Sequence, residues 1–253
     1  MPRLAKKPPT AHGRERQLTS TLRAMRHAAF LSHRHRLPQL LAARGVVGTG
    51  AEVGVQQGLY SERLLAGSKL SRLILVDPWR TTEDGYDDIA NVPQSEHDRR
   101  LEEAQTRLAR FGCRAEFWRT TSVEAAANVP DASLDFVYLD ARHDYESVIE
   151  DLVAWYPKVK PGGIFAGHDY LDGERPEGLF GVKSAVDEFF ADKAVVVYDT
   201  YAEPSWPSWI TGPAPNHPAP IFAIRAVLRA ARRLRRAVVG RLRLNWLRVR
   251  LRG

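Results

Sequence analysis

From Thr49 onward the chain alternates short apolar runs with amphipathic stretches, and no other feature constrains its fold so tightly. The runs are AEVGV (51–55), RLILV (72–76), AEFW (115–118), LDFVYL (134–139), GIFAG (163–167) and AVVVY (194–198). Helix-patterned segments lie between them near 59–67, 94–111, 122–128, 145–156 and 181–190. Runs too short to be helices, each followed by a helical pattern, build parallel strands joined by crossover helices. The expected class is α/β, with a doubly wound, seven-stranded, mostly parallel sheet. WPSWI (206–210) supplies the seventh strand, close enough to the sixth to pair with it as a hairpin.

Charge is distributed unevenly around this unit. Residues 1–45 carry ten Lys and Arg against one acid, Glu15, and residues 219–253 carry eleven Arg and no acid. The net charge of +7 therefore hides a middle that is acidic by about 13 charges. Two basic arms around an acidic middle imply separate partners for each. The expected organisation is a basic helical N-terminal arm (1–45), a catalytic-type domain (46–212), a proline-rich linker (213–220) and a basic amphipathic tail (221–253). In the first arm a helical pattern runs from about Glu15 to Leu31, SHRHRLP interrupts it, and Pro38 opens a short second helix that Gly45 stops. In the tail, Ile224, Val227, Leu228, Ala231, Leu234 and Val238 share one helical face, with Arg225, Arg229, Arg232 and Arg236 opposite. Such a helix suits an anionic membrane surface, and binding to a nucleic-acid phosphate backbone is the rival. A helix packed on the domain or an unstructured tail is the bland alternative.

No stretch approaches the roughly 20 apolar residues of a membrane-spanning helix. The N-terminal MPRLAKKPPTAHGRER has no apolar run of the kind a secretory signal needs. A single cysteine, Cys113, excludes an internal disulfide framework and any multi-cysteine metal site. A reducing, cytoplasmic setting is the default expectation.

In a doubly wound sheet the ligand lies at the carboxyl ends of the strands, so the residues after each run are the candidates for chemistry. After the first come Glu52, Gly54 and Gly58, where glycines admit a ligand to the backbone and a helix N-terminus offers free N–H groups. Their G-x-x-x-G spacing disfavours a dinucleotide oxidoreductase, and a tight turn without a ligand fits equally well. Asp77 ends the second run, positioned either to accept ribose hydroxyls or to serve as a loop acid before Pro78. After the third run come Thr121 and Ser122, placed to cap the helix that begins SVEAA; Ser122 is expected to be the cap, with a cofactor contact added. The fourth and fifth runs end in Asp140-Ala-Arg-His143-Asp144 and His168-Asp169-Tyr170. Asp140, His168 and Asp169 converge if those strands are neighbours, and two carboxylates with an imidazole suit a divalent cation, proton removal from a hydroxyl, or bonds to loop backbone.

GTGAEVGVQQGLYSERLL, LILVDPW, SLDFVYLDARHDYESVIEDLVAWYPKVKPGGIFAGHDY and FGVKSAVDEFF together resemble the class I S-adenosylmethionine-dependent methyltransferases, in the branch called methyltransferase family 24. The resemblance covers about 48–212. It implies a sheet whose seventh strand is antiparallel. It assigns Glu52, Gly54 and Gly58 to the amino-acid half of the cofactor, Asp77 to its ribose and Ser122 to the adenine end. Asp140 would flank the methyl-donor pocket. Similar sugar O-methyltransferases hold Mg²⁺ with an acid after strand four and an Asp pair after strand five; here the candidate ligands are Asp140, His168 and Asp169. Relatives also read Asp-Gly-Asp where this chain has Asp140-Ala141-Arg142, which removes one carboxylate.

Methyl transfer is an in-line attack on a sulfonium carbon, so the protein positions two reactants and supplies a proton acceptor. For a hydroxyl acceptor, Asp140, His143 and His168 are the catalytic candidates, the histidines because their ordinary pKa lies near neutrality. The resulting expectation is O-methylation of a small molecule or sugar. The alternatives are a nucleic-acid methyltransferase that uses the basic arms, or a non-catalytic membrane- or nucleic-acid-binding protein.

Overall fold

The computed structural model describes residues 32–213, apart from 83–87, 194, 201 and 204. The helix expected before residue 32, the linker beyond 213 and the basic tail lie outside the described residues.

Among the described residues, nine strands and six α-helices follow one another: α1 Leu37–Ala43, β1 Thr49–Val53, α2 Leu59–Gly67, β2 Arg72–Val76, α3 Gln94–Leu108, β3 Ala115–Trp118, α4 Ser122–Ala127, β4 Leu134–Leu139, α5 Tyr145–Trp155, β5 Val159–Gly167, β6 Asp172–Arg175, β7 Gly178–Gly181, α6 Val182–Phe189, β8 Val195–Asp199 and β9 Trp209–Pro213. Seven strands form one sheet in the order β3-β2-β1-β4-β5-β9-β8. The first five are mutually parallel, and β9 runs antiparallel to both β5 and β8. The strand order reverses between β1 and β4, which makes their carboxyl ends the switch point where ligands bind in such sheets.

Alternate residues along each strand feed opposite cores, because strand side chains repeat with period two. Ala51, Val53, Ile74, Val76, Val137 and Phe165 pack under α4, α5 and α6. Leu73, Leu75, Phe136, Tyr138 and Ile164 pack on the other face with α1 and α2. Glu52 sits in register with Leu75 and Tyr138, on this second face, and is buried there. Residues 37–43 add Leu37, Leu40 and Leu41 to that core, each at most 2% exposed. Full burial of such side chains stabilises by about 1.5–3 kcal/mol each, so α1 is built into the sheet's packing.

The structure departs from the sequence reading in a few places. β5 begins four residues earlier than the apolar run GIFAG, in the polar VKPG segment that pairs only irregularly with β4. α3 ends at Leu108, and a 3₁₀ turn over Ala109–Arg114 follows, broken at Gly112 with φ +55°. The β6–β7 hairpin was not anticipated: β6 is exposed along its whole length and has no apolar alternation to betray it. Its second strand nevertheless delivers buried Phe180 to the site described next.

Candidate functional site

Register places the site residues in a row. Val53 pairs with Val76 and Leu139, and Leu139 with Gly167, so Gly54, Asp77, Asp140 and His168 each stand one step past a strand end. At the switch point the two central loops cross in contact. Gly54 N donates to Val76 O at 2.8 Å, and Asp140 N donates to Val53 O at 2.7 Å. Gly54 has φ +89°, and a Cβ there would overlap the Asp140 carbonyl, so only glycine fits. Gly58 (φ +70°) ends the loop as the N-cap of α2, close against Ala104 and Leu108 of α3. Two cavities open beside this crossing, of about 390 and about 400 Å³, and both are lined by Gly54, Gln56, Asp140 and Ala141.

Asp77 lines the second cavity, yet its carboxylate is already engaged with backbone. Oδ2 accepts from Val55 N at 3.0 Å and Gln56 N at 2.9 Å, and Oδ1 accepts from Trp79 N at 2.8 Å. Buried Trp79 ties the same loops from the other side, donating Nε1–H to Gln56 O at 2.9 Å. Gln56 and Trp79 hold positive φ (49° and 40°), as does Asp169 (51°). Three left-handed non-glycine residues on the rim loops are backbone strain of the sort found at functional sites. A carboxylate has room for about four donors, so Asp77 retains capacity for one more.

Glu52 lines the first cavity and is 1% exposed, with Oε2 buried and unpartnered. Burial pushes its pKa up to about 8. An unpartnered buried carboxyl oxygen is costly unless a ligand donor completes it. Arg34, on the turn before α1, reaches the same cavity; its Nη1 lies 3.4 Å from Asp140 Oδ2.

At the far end of the second cavity Ser122 is not the helix cap. Thr121 holds that place and is bound to the Glu124 carboxylate: Thr121 N and Oγ1 both donate to Glu124 Oε2, at 3.2 and 2.7 Å. The Ser122 hydroxyl is taken instead by buried Asp151 of α5 and accepts Trp155 Nε1–H at 2.9 Å. Burial raises the Asp151 pKa to about 7. Asp151 escaped the sequence reading although a signal exists. It stands among Val148, Leu152 and Trp155 on the buried face of α5, where an acid is out of place.

Four ionisable groups gather where β4 and β5 end, joined by Asp88 from the β2–α3 connection. His143 Nδ1 lies 2.8 Å from Asp88 Oδ2 and its Nε2 lies 3.1 Å from Asp169 Oδ2. His168 Nδ1 lies 2.8 Å from Asp169 Oδ1 and 3.7 Å from Asp140 Oδ1. Phe180 stacks on the His143 ring with centroids 4.7 Å apart. Burial works against charge on His143, but its bonds to Asp140, Asp169 and Asp88 carry its pKa well above the ordinary value. His168 is also raised, for burial is outweighed by the Asp140 charge and the Asp169 bond. Asp169 is held well below the usual carboxylate range: burial opposes this, but the hydrogen bonds from His143 and His168 prevail. Sequence reasoning brought Asp140, His168 and Asp169 together correctly and missed Asp88, which has no motif around it.

The expected Mg²⁺ set does not fit this arrangement. The ligand-type atoms that do approach within 4.8 Å of one another belong to Asp140, His143 and Asp169, so His143 takes the place expected of His168. Mg²⁺ takes oxygen ligands. Both Asp169 oxygens are occupied by imidazoles, and both His143 nitrogens face carboxylates, which leaves Asp140 as the available oxygen donor. The centre of the cluster is filled by the His143 ring, held between these carboxylates.

Residues 51–170 match a family model described as a methyltransferase domain. An uncharacterized protein, y4gI of Sinorhizobium fredii, is 27% identical over 146 residues, 56% of this chain; the chain spans 15% of that protein's length. An O-methyltransferase from Bacillus cereus, solved with S-adenosylhomocysteine, superposes with TM-score 0.50 at 16% identity, covering 81% of this chain and 90% of that one. The O-methyltransferase TomG from Streptomyces achromogenes, solved with S-adenosylmethionine, gives 0.52 at 16% identity, covering 72% and 79%. The match to the methyltransferase-domain model covers a little under half of the chain, and the fold is the one shared by these class I methyltransferase structures.

Proposed function

We propose that the chain transfers the methyl group of S-adenosylmethionine to a hydroxyl oxygen of a small polar acceptor, a sugar being the leading class. The carrying observation is the junction of the two cavities at Gly54, Gln56 and Asp140: Asp77 and Ser122 line one, and Glu52 lines the other together with His168 and Asp169. Glu52 takes the cofactor's ammonium, Gly54 and Gly58 open the backbone to its amino-acid half, Asp77 uses its remaining capacity on the ribose, and Ser122 with Asp151 borders the adenine.

The bound cofactor supplies an electrophilic methyl carbon; the chain's own groups hold the acceptor in line and take up its proton. His168 is the proton acceptor. Asp169 bonds its Nδ1, which fixes the ring so that Nε2 faces the work, the same logic by which an acid orients a catalytic histidine elsewhere. His143, clamped by carboxylates at both nitrogens, is a poor base and serves as a positive post that positions Asp140 and Asp169. The eleven arginines beyond residue 218 support a second role for the tail, contact with an anionic membrane surface. Calorimetric titration with S-adenosylhomocysteine tests the cofactor reading, and absence of binding would end it.

A further inference from the structure

Arg34 belongs to a segment that neither the strand pattern nor the family match includes. The turn from Ser32 to Arg36 is fastened across the first cavity at three points. Ala202 N donates to Ser32 O at 2.8 Å, Arg34 N donates to Glu203 Oε2 at 2.9 Å, and Tyr60 Oη donates to Arg34 O at 3.0 Å. Helix α1, whose leucines are buried, anchors the turn from behind. The guanidinium stands over the Tyr60 ring at 5.2 Å, and the side chain, 27% exposed, lines the cavity. It is hydrogen-bonded to the Tyr138 hydroxyl, and its carboxylate neighbours are distant for so strong a donor: Asp140 Oδ2 at 3.4 Å and Glu203 Oε1 at 3.9 Å. A guanidinium carries five N–H donors in a fork that matches a carboxylate, so beyond its bonds to Tyr138 and Asp140 it keeps donors for a ligand carboxylate.

The same cavity holds Glu52 with its unpartnered oxygen. One cation with donors to spare and one uncompleted carboxyl in a single cavity are the complement of a zwitterion, an α-amino acid head with its ammonium and carboxylate. We infer that Arg34 receives the carboxylate of the cofactor's methionine half while Glu52 receives its ammonium, so that the strap Ser32–Arg36 is a working wall of the cofactor site. This rests on the methyltransferase reading above and extends it to a residue outside the matched domain. A consequence is that cofactor occupancy tightens the strap, and through it the point where the basic N-terminal arm joins the domain.

The test uses the full chain and two ligands, S-adenosylhomocysteine and decarboxylated S-adenosylmethionine, which keeps an amine and lacks the carboxylate. Charge-assisted bonds of this kind make Arg34→Met bind S-adenosylhomocysteine roughly 10- to 100-fold more weakly, with affinity for the decarboxylated ligand unchanged. That second affinity also reports whether the variant is folded. Arg34→Lys, which keeps the charge but not the fork, falls between. Amide exchange at Arg34 and Ala202 is expected to slow with S-adenosylhomocysteine and not with the decarboxylated ligand. Equal weakening of both ligands would make Arg34 a merely structural strap residue and overturn the assignment, as would no weakening of either. Failure of the unsubstituted chain to bind either ligand would instead overturn the methyltransferase reading, and this inference with it.

Discussion

Asp169 Oδ1 lies 2.8 Å from Nδ1 of His168, while its other oxygen lies 3.1 Å from His143, so one carboxylate orients two imidazoles with different jobs. General-base assistance is worth about 10²–10⁴ in rate. His168→Ala is therefore expected to lose that much kcat with little change in S-adenosylhomocysteine affinity. The working form of His168 is the neutral one and its pKa is raised, so kcat/KM should climb with pH through an apparent pKa above the ordinary 6.5. A flat profile with full activity at pH 6 would remove this histidine from proton transfer.

Because the His143 ring fills the centre of the acid cluster, chelation should leave turnover intact. Activity is compared after dialysis against EDTA and after adding Mg²⁺. A tenfold loss that Mg²⁺ restores would show that Asp140 and Asp169 release their histidines to bind a metal.

Glu52 makes cofactor binding a proton-linked event. Burial holds its pKa at about 8, so near pH 7 the free protein carries it protonated, and the incoming ammonium favours the ionised form. Binding should release about one proton at pH 7, read by calorimetry in buffers of different ionisation enthalpy. Glu52→Gln should abolish the release and weaken binding. The same burial bears on stability. The folded chain keeps a proton that the unfolded chain gives up near 4.5, so this contribution is complete below that pH and is lost as pH rises through about 8. Thermal melts of Glu52→Gln should consequently decline less between pH 5 and pH 9 than those of the unsubstituted chain.

The tail's composition is tested by flotation with anionic and neutral vesicles. The full chain should float with anionic vesicles at low salt and lose that affinity steeply as salt rises, and removing 219–253 should abolish it. Equal flotation of both forms would defeat the membrane reading.

Much of the fold was legible because each central strand is a closed apolar run such as RLILV, and each crossover helix repeats its buried positions every three or four residues. Periodicity found those elements nearly to the residue, α2 and α5 among them. The β6–β7 hairpin and the head of β5 were not legible. Their strands are held by pairing with neighbours, and pairing leaves no trace in the hydropathy of a polar segment. The capping role expected of Ser122 was misplaced for a similar reason: the serine that opens SVEAA looks like a cap until an acid from another helix takes its hydroxyl.

Sequence alone determined the alternating strands and helices, the glycines at the first turn and the acids and histidines that end the second, fourth and fifth runs, because those depend on local periodicity and on chain direction. Tertiary structure decided what each polar group does. Asp88, Arg34, Asp151 and Glu203 come from segments far apart in the chain, and whether a histidine is a base or a clamped cation depends on how many carboxylates reach its ring. Electrostatic partners are chosen by distance in space, which a one-dimensional pattern does not encode.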